Sequence, residues 1–550
     1  MRSYRVRRRL AVALVLLLPG GAAVCVAAKK PPVPDLTKGG TRDDRHDWNL
    51  GPTGARGWIW GWNLETTDSR QVLITKVDKG SPADGVLRVG DVILGVNGKL
   101  FAEDARRCFG RAITEAERPE NKGVLKLIRW REGKQQEVEI KLGVLGGYSD
   151  TAPLNCPKSR RILTAGCRHI AAHMKGGIDG KINALALLAS GEKKYLPLVR
   201  DYARQAGPSD LKLKLHGGSG MAAWHWGYTN LFLTEYHLAT GDRYVLPAIR
   251  EYSVNIANGQ SAVGSWGHGM AWPELNDGAL HGRLGGYGAL NQAGLICHLS
   301  LVLARKCGVK DESVRQAIER ANRFFGFYVG KGAIPYGDHR PGWQVHDDNG
   351  KNSIGAVLFD LQGREDGARF FSRMTVASYG ERERGHTGNY FSFLWGPLGA
   401  NRGGPEAAAA FLKEQRWYYD LARRQDGSFP YQGGAGMGGG EHKYGGWDCT
   451  GAYILPCALP LKKLFITGKG ASKANELTGT ELSEAIEAGR GFSSWHGGIE
   501  PYRGKSVEQL LGCLGTWSPA VRHRAAAALA EKPDNVVPQL IGMLDADDLN

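Results

Sequence analysis

Long apolar runs are missing from the sequence after residue 28, where no uncharged stretch is long enough to span a bilayer. None of the nine cysteines falls at zinc-finger spacing, no H-E-x-x-H motif occurs, and no nucleic-acid motif accompanies the lysines and arginines. Glycine is abundant, at 78 of 550 residues, but follows no G-X-Y period. These absences exclude further membrane spans and collagen-like fibres, and we expect neither a nucleic-acid partner nor a cofactor.

The composition is that of a folded protein with several domains. Hydrophobic residues make up 42% of the chain and charged residues 23%, which is enough apolar material for packed cores and too little charge for global disorder. A length of 550 residues predicts two to four domains. The formal net charge of +16 favours acidic partners or surfaces. Because the basic residues are scattered, a solvated basic surface is the simpler interpretation.

The N-terminus has the form of an export signal. Five arginines within the first nine residues precede an uncharged apolar run from Leu10 to Ala28, which Pro19 interrupts. We therefore predict a signal peptide over residues 1–28, a linker over residues 29–47 and an exported protein, either periplasmic or extracellular. Two alternatives stay open, namely an uncleaved signal that anchors the chain in the membrane and lipidation at Cys25.

Short β-rich runs separated by turn signals follow, over residues 48–145. They predict a first strand near 58–64 and four further strands, while residues 102–117 have a helical pattern and the KGSPADG turn suits the start of a second helix. The run KVDKGSPADGVLRVGDVILGVNGKLF (76–101) resembles the middle of a PDZ domain of the bacterial protease-associated type. The resemblance implies a small β-sandwich or barrel with two helices.

The PDZ resemblance implies a peptide groove between the strand that starts near Trp58 and the predicted helix. A peptide C-terminus would add there as an extra strand, with its carboxylate held by backbone N–H groups. Arg56 either adds a charge to that carboxylate or points to solvent. Trp58, Trp60 and Trp62 alternate, so they share one face of the sheet, and core packing is the simpler interpretation. The candidate peptide-binding residues are Arg56, Gly57, Trp58, Ile59 and Trp60.

Helical periodicity takes over between residues 156 and 468, where twelve helices are predicted, the last near 447–467. Their connections alternate between short turns, in which glycine precedes an acidic residue, and long loops rich in glycine, aromatic residues and histidine. Glycine just past one helix and Asp or Glu at the start of the next is the expected capping pattern. This alternation is typical of an (α/α)6 toroid with its long loops at one mouth, and YYDLARRQDGSF (418–429) resembles the repeats of terpene-cyclase-like toroids.

As a whole, the chain resembles an uncharacterised bacterial exported family that joins a PDZ domain to an α/α-toroid domain of unknown function. The segments HGRLGGYGALNQAGL (281–295), DDNGKNSIGAVLFD (347–360) and ERGHTGNYFSFLWGPLGA (383–400) carry this resemblance. It covers most of residues 40–468. The family implies no established activity, so the resemblance predicts architecture and leaves the chemistry open.

The long loops would bring histidines, carboxylates and aromatic residues to one mouth, which is the composition of a carbohydrate-active site. Aromatic faces stack on sugar rings, and paired carboxylates or a His–Tyr–acid set perform acid/base chemistry in hydrolysis or elimination. A glycoside hydrolase and a polysaccharide lyase cannot be distinguished, because the sequence gives no carboxylate separation. The candidate catalytic residues are His268, Tyr287, Asp347, Asp348 and His386.

A binding scaffold is the leading interpretation, in which the PDZ groove binds a peptide or protein segment and the toroid mouth binds protein or glycan. Asp347 and Asp348 precede a helix and are equally well explained as its caps, and His386 as part of a helix-start turn. A weaker possibility is a metal site of Asp448, Cys449 and His442. Because Cys449 lies in a helical run, where a buried cysteine is common, we predict no metal.

The C-terminal residues have the pattern of helical repeats. After a polar linker (469–505), SPAVRHRAAAALAE (518–531) resembles the second helix of a HEAT repeat and NVVPQLIGMLDADDLN (535–550) resembles the first helix of the next. A solenoid buries its faces only when several repeats stack. We therefore expect residues 506–550 to form an incomplete HEAT-like repeat that packs on the toroid or stays loosely ordered.

Overall fold

The computed structural model describes residues 30–43, 46–62, 65–215, 220–385, 387–432, 446–493 and 498–543. The chain divides into two compact units, residues 1–33 and 34–550. The predicted signal peptide lies outside the described residues, and residues 30–33 have no secondary structure. Every element below belongs to the second unit. No helix in the described part of the chain combines the length and apolarity needed to cross a membrane.

The N-terminal module (residues 47–141) is an antiparallel sheet with one helix, α1 (Ala105–Ala116), packed on it. The strands are β1 (Asp47–Asn49), β2 (Ala55–Trp58), β3 (Val72–Val77), β4 (Val92–Val96), β5 (Lys99–Leu100), β6 (Val124–Arg131) and β7 (Lys134–Lys141). They lie in the order β1-β2-β3-β4-β6-β7, with β5 paired to β4. The helix begins at Asp104, whose carboxylate accepts hydrogen bonds from the N–H groups of Arg106 and Arg107. Four predicted strands and the predicted helix α1 are confirmed.

The start of the module differs from the prediction. The first strand was expected near 58–64, whereas β2 ends at Trp58 and the unpredicted strand β1 precedes it. Gly51 (φ 69°) and Gly54 (φ 75°) adopt left-handed conformations in the turn between them, so the chain reverses earlier than its hydrophobic pattern indicates. The predicted second helix is only a turn over residues 82–86.

Each of the twelve helices predicted for the central region overlaps a helix of the structure. These helices are α2 (Pro157–Ala172), α3 (Gly177–Ala189), α4 (Leu196–Ala206), α5 (Ala222–Thr240), α6 (Leu246–Asn258), α7 (Asn291–Lys306), α8 (Glu312–Gly326), α9 (Lys351–Leu361), α10 (Glu365–Ala377), α11 (Gly388–Ala400), α12 (Pro405–Ala422) and α13 (Thr450–Ile454). The last is shorter than predicted, because Pro456 and Pro460 follow it in a 3-10 helix and proline cannot donate the next helical hydrogen bond.

The short connections have the predicted cap chemistry. Gly241 ends α5 in a left-handed conformation (φ 74°). Asp242 follows, and its side chain accepts a hydrogen bond from the N–H group of Tyr244 at 3.0 Å. Glycine releases the chain from one helix and the carboxylate satisfies a free N–H group at the start of the next helical turn.

Alternate helices form an inner layer whose contacts return to their start. Helix α3 contacts α5, α5 contacts α7, and the series continues through α9, α11 and α13 back to α3. All 13 residues of α11 are buried, whereas α8 buries only Val314, Ala317, Ala321 and Phe325. A helix that is apolar on every side needs neighbours all round, and a helix with one apolar stripe belongs on the outside. The even-numbered helices α4, α6, α8 and α10 pack on the inner layer from outside.

Five more helices follow the central region: α14 (Gly479–Ala488), α15 (Glu500–Arg503), α16 (Val507–Leu514), α17 (Pro519–Leu529) and α18 (Val537–Met543). The predicted linker 469–505 is therefore partly helical, since Thr478 and Glu481 form a capping box that starts α14. Helix α14 packs on α10, and α16 packs on α17. The two predicted repeat helices overlap α17 and α18.

The N-terminal module packs on α12 of the helical region. Gly110 of α1 allows the closest approach, since a Cβ atom there would lie 2.4 Å from the carbonyl oxygen of Trp417. An interdomain ion cluster (Glu117, Lys158, Asp420 and Arg423) crosses the same contact. The Lys158 Nζ atom lies 2.9 Å from Glu117 and 2.7 Å from Asp420, and Arg423 also pairs with Glu117.

Candidate functional site

A cavity of about 320 Å³ lies at one end of the inner helix layer. We call it the mouth pocket. Its described lining is mostly aromatic and aliphatic, with a few neutral polar side chains and one histidine. The lining residues are Ile178, Met221, Trp224, His268, Tyr287, Leu290, Gln292, Tyr336, Asn349, Thr387, Phe391 and Trp447.

The N-terminal ends of the inner helices build the mouth pocket. The residues involved lie within the first four positions of a helix or shortly before it: Ile178 for α3, Trp224 for α5, Gln292 for α7, Asn349 for α9, Phe391 for α11 and Trp447 for α13. The long connections enter these helices at the same end. A helix N-terminus carries a partial positive charge. Since several helix N-termini face this one cavity, their partial positive charges act on it together.

Aromatic rings form the walls of the mouth pocket. The rings of Trp224 and Phe391 stack at 5.4 Å between centroids, and Trp447 stands perpendicular to Phe391 at 6.1 Å. The Tyr287 side chain is the most open, with 80% of its surface exposed. Flat rings of this kind offer stacking faces to a ring-bearing ligand.

Two buried amides face the mouth pocket with unused hydrogen-bonding capacity. Gln292 is 3% exposed and Asn349 is 5% exposed. Within the described residues, Asn349 Oδ1 makes no hydrogen bond of standard geometry, and neither does either amide atom of Gln292, although the Tyr228 hydroxyl group lies close to that amide. Since a buried polar group without a partner costs about 1–3 kcal/mol, these amides are suited to a ligand that supplies hydroxyl groups.

His268 is the one titratable imidazole in the described lining. Its Nδ1 atom accepts a hydrogen bond from Trp224 Nε1 at 3.0 Å, which requires an unprotonated Nδ1. Its backbone oxygen accepts a second hydrogen bond, from the N–H group of Ala223. These two contacts fix the ring against the start of α5. The Tyr287 ring lies beside it, at 5.8 Å between centroids.

The structure brings together two of the five candidate catalytic residues. His268 and Tyr287 both line the mouth pocket. Asp347 does not, because its side chain is fully buried and accepts hydrogen bonds from the N–H group of Asn352 and the hydroxyl group of Ser353. Asp348 pairs with Lys351 at 3.0 Å, so both carboxylates serve the start of α9. His386 lies outside the described residues.

No carboxylate belongs to the described lining of the mouth pocket. Two acidic residues of the neighbouring loops, Glu383 and Glu381, make contacts with side chains outside the pocket. Glu383 forms a two-pronged ion pair with Arg106 of α1, at 2.9 and 2.7 Å. Glu381 faces His346, which also bonds Ser518 of the C-terminal helices. The described lining of the mouth pocket therefore does not contain the paired carboxylates of a glycosidase.

The alternative metal ligands have other roles. Asp448 accepts hydrogen bonds from Asn183 Nδ2 and from the N–H group of Thr450. Burial raises the pKa of the Cys449 thiol well above its ordinary value, which disfavours the thiolate that binds zinc. His442 lies outside the described residues. The described part of the chain contains no group of three or more side chains placed to hold a metal ion.

The candidate peptide-binding residues lie on or just after β2, and β2 has a neighbour on each side. It pairs with β3 on one edge and with β1 on the other. Trp58 and Trp60 are buried together in a small cluster, against which Trp62 packs, as predicted for three rings on one face. Ile59 lies in the main core of the module instead.

Sequence reasoning missed β1 and the two unpaired amides. Gln292 is the second residue of α7 and Asn349 lies just before α9, where the long glycine-rich and aromatic connections end, so their general location was predictable. Their burial depends on how distant helices pack, and no local signal encodes it. The strand β1 has only three residues, too few for a periodic pattern.

Two family models match the chain. The model of the domain of unknown function DUF6288 matches residues 159–468, and the PDZ domain model matches residues 54–106. No curated protein and no solved structure matches. A PDZ domain is therefore present, followed by a mostly helical region that contains the DUF6288 match. PDZ domains generally bind peptide C-termini, which suggests a peptide or protein partner.

Proposed function

The chain belongs to the DUF6288 family, which covers more than half of its length, and from that premise we propose that it is an exported binding scaffold. In this proposal the mouth pocket holds a sugar ring and the N-terminal module engages a peptide or protein segment. The arginine-rich, apolar sequence of residues 1–28 supports export. The contacts of α16 with α17 support a HEAT-like arrangement at the C-terminus.

An (α/α)6 toroid accounts for the helix contacts. Six inner helices contact one another in a cycle, and the outer helices alternate with them along the chain. The long connections all enter the inner helices at the end where the mouth pocket lies. Toroids host unrelated chemistries, so the function is argued from the pocket and not from the fold.

The combination of aromatic walls with unpaired amides carries the proposal. A sugar presents an apolar ring face and several hydroxyl groups around its edge. Trp447 and Tyr287 offer ring surfaces to the sugar. Gln292 and Asn349 offer amide groups to its hydroxyls. A cavity of about 320 Å³ is of the size of small-ligand sites.

The second candidate is a carbohydrate-active enzyme, either a glycoside hydrolase or a polysaccharide lyase. The placement of His268 beside Tyr287 favours it, since such a pair can take and give protons during elimination. The absence of a carboxylate from the described lining favours binding over hydrolysis.

An oligosaccharide array followed by calorimetry tests the binding function. We expect Trp447→Ala to weaken binding about tenfold, roughly 1.4 kcal/mol, because a stacking face is lost. Tyr244→Ala is the matched control, since Tyr244 is an exposed aromatic residue outside the pocket. Equal affinities for Trp447→Ala and wild type, or no binding to any oligosaccharide, would refute the proposal.

Turnover on the same oligosaccharides separates the two candidates. The scaffold releases no new chain ends, whereas the enzyme does, and an unsaturated product marks a lyase. In the enzyme, His268→Ala would abolish turnover. Circular dichroism of the variant controls for folding.

A further inference from the structure

A PDZ ligand would pair with the edge of β2 opposite β3. In this structure another segment of the same chain, β1, already pairs with that edge. β1 pairs antiparallel with β2, with Asp47 opposite Trp58, Trp48 opposite Gly57 and Asn49 opposite Arg56. The pairing extends at both ends, where Ile59 N donates to His46 O and Leu50 N donates to Ala55 O. An added peptide strand would need these same edge groups of β2.

The β1 segment also reaches helix α1, the other wall of the groove. The Trp48 side chain is fully buried, in one cluster with Phe109 and Ile113 of α1. The guanidinium group of Arg106 lies 4.1 Å from the centre of the Trp48 ring. Trp48 therefore lies between β2 and α1, where the side chain of a bound peptide would insert.

A carboxylate of β1 is held by Arg56, the side chain that could have added a charge to the carboxylate of a bound peptide. Arg56 Nε donates to Asp47 Oδ2 at 2.9 Å, and Arg56 Nη2 donates to the backbone oxygen of Asp47 at 2.9 Å. The hydroxyl group of Thr75 donates to Asp47 Oδ1 at 2.6 Å. The carboxylate that Arg56 binds thus belongs to the chain itself.

The far side of β1 is tied to the helical region. Asn49 Nδ2 donates to the backbone oxygens of Leu421 and Ala422 at the end of α12. Asn49 N donates to Gln432 Oε1 at 3.1 Å. Arg106, which covers Trp48, is paired with Glu383 of the helical region. These contacts couple the position of β1 to the contact between the module and the helical region.

We propose that β1 is an internal ligand that closes the peptide groove of the PDZ domain. A peptide binds only after residues 46–50 have left the edge of β2. The occupant in the closed state is this segment, held by its backbone pairing, by Trp48 and by the Asp47–Arg56 contact. The inference rests on the peptide-binding role proposed for the N-terminal module and adds its regulation.

Peptide binding by the full chain tests the closure. The probe is an array of random-sequence peptides with free C-termini, applied to wild type and to the double variant Asp47→Ala/Asn49→Ala. That variant loses the side-chain contacts of Asp47 with Arg56 and Thr75 and of Asn49 with α12, but keeps Trp48. We expect it to bind a subset of the peptides at least about tenfold more tightly than wild type. A synthetic peptide of sequence HDWNL should compete with them.

The matched control is Asp68→Ala/Asn121→Ala, which makes the same substitutions on the same module away from β1 and should bind no peptide more tightly than wild type. Hydrogen exchange of β2 checks that the variant is folded and that its edge has opened. If wild type binds the same peptides as tightly as the variant, the proposed closure is overturned and the peptide-binding function stands. A folded variant with an open edge that binds no peptide would overturn both.

If the double variant fails to fold, Arg56→Ala serves in its place. It removes the two hydrogen bonds from Arg56 to Asp47 and leaves the buried Trp48 side chain of β1 unchanged. We expect a smaller gain in peptide affinity in the same direction. The proposal would be overturned if folded Arg56→Ala protein bound peptides no more tightly than wild type although its β1 amides exchanged faster.

Discussion

Asp347 shows how one buried side chain changes the interpretation of the mouth. Its carboxylate accepts hydrogen bonds from the N–H groups of Asp348 and Asn352. Arg382 lies 3.6 Å from it, and both side chains are almost fully buried. A group held from several sides anchors the start of α9. The helix-cap alternative therefore explains its contacts better than a catalytic role.

His298 on α7 predicts a pH-dependent stability. The ring is fully buried, neither ring nitrogen has a hydrogen-bond partner within the described residues, and burial together with the charge of Arg364 lowers its pKa to about 3. Between that value and its ordinary pKa of about 6.5, the unfolded chain takes up a proton that the folded chain excludes. We therefore expect the free energy of unfolding to fall, as pH falls below 6.5, by up to about 1.4 kcal/mol per unit.

Urea unfolding at pH 7 and pH 5 measures this effect. The variant His298→Leu should lose this part of the pH dependence and should be more stable than wild type at pH 5. His173→Leu is the control. Because His173 is exposed, this substitution should leave the pH dependence of stability nearly unchanged. The same pH dependence in wild type and His298→Leu would contradict the assignment.

At the scale of residues, the sequence predicts caps and turns better than buried polar contacts. The roles of Gly241 and Asp242 follow from local chemistry, because both act within one turn of chain. The burial of His298 and of Gln292 depends on helices far away in sequence. Periodicity identifies the helix but not which polar residue its neighbours enclose.

Helices with their N-termini at the mouth pocket should give it a preference for acidic ligands. The inner helices from α3 to α11 each have at least 11 residues, and each N-terminus carries about half a positive charge. The described lining contains no lysine, arginine or carboxylate. Asp179 and Asp347 offset the starts of α3 and α9, whereas the first turns of α5, α7 and α11 contain no acidic residue. We expect a uronate-containing oligosaccharide to bind about fivefold more tightly than its neutral counterpart, roughly 1 kcal/mol.

Calorimetry with the two oligosaccharides at low and high salt checks this preference. The difference should shrink at about 1 M salt, where charges are screened over roughly 3 Å. Equal affinities at low salt would show that the helix ends do not act on the ligand.

Ser518 should anchor the C-terminal helices to the central region. Its hydroxyl group forms a hydrogen bond with His346 Nε2 at 2.8 Å and accepts a hydrogen bond from Val521 N at the start of α17. The variant Ser518→Ala loses the helix cap, about 1 kcal/mol, and leaves a buried imidazole nitrogen unpaired, about 1–3 kcal/mol more. We expect faster hydrogen exchange in α16 and α17.

Ser506→Ala is the matched control for this change. Ser506 caps α16 in the same way, through Gln509 N, but stands near the surface and makes no contact with His346. It should cost only the cap. Equal effects of the two substitutions would show that the contact with His346 does not hold the helices.

At the scale of the whole molecule, the order of the domains was predictable and their contact was not. The PDZ resemblance rests on a continuous run of residues, so it can be identified without knowledge of the neighbours. The contact depends on Gly110, which leaves room for the backbone of Trp417, and on Lys158, which resembles any solvated lysine in the sequence. A glycine within an amphipathic helix is a weak signal, since its partner cannot be identified locally.

Lys158 tests whether the N-terminal module and the helical region unfold together. Its ammonium group is fully buried between Glu117 of the module and Asp420 of α12. Removing one partner of a buried ion pair leaves uncompensated charge and costs about 3–5 kcal/mol. We expect wild type to unfold in a single calorimetric transition, and Lys158→Met to unfold at a lower temperature in two. Lys126→Met is the control, because Lys126 pairs with Glu139 while 48% of its side chain is exposed, and such surface pairs contribute at most about 1 kcal/mol. Two transitions in wild type, or one unchanged transition in Lys158→Met, would mean that the ion cluster does not couple the two parts of the chain.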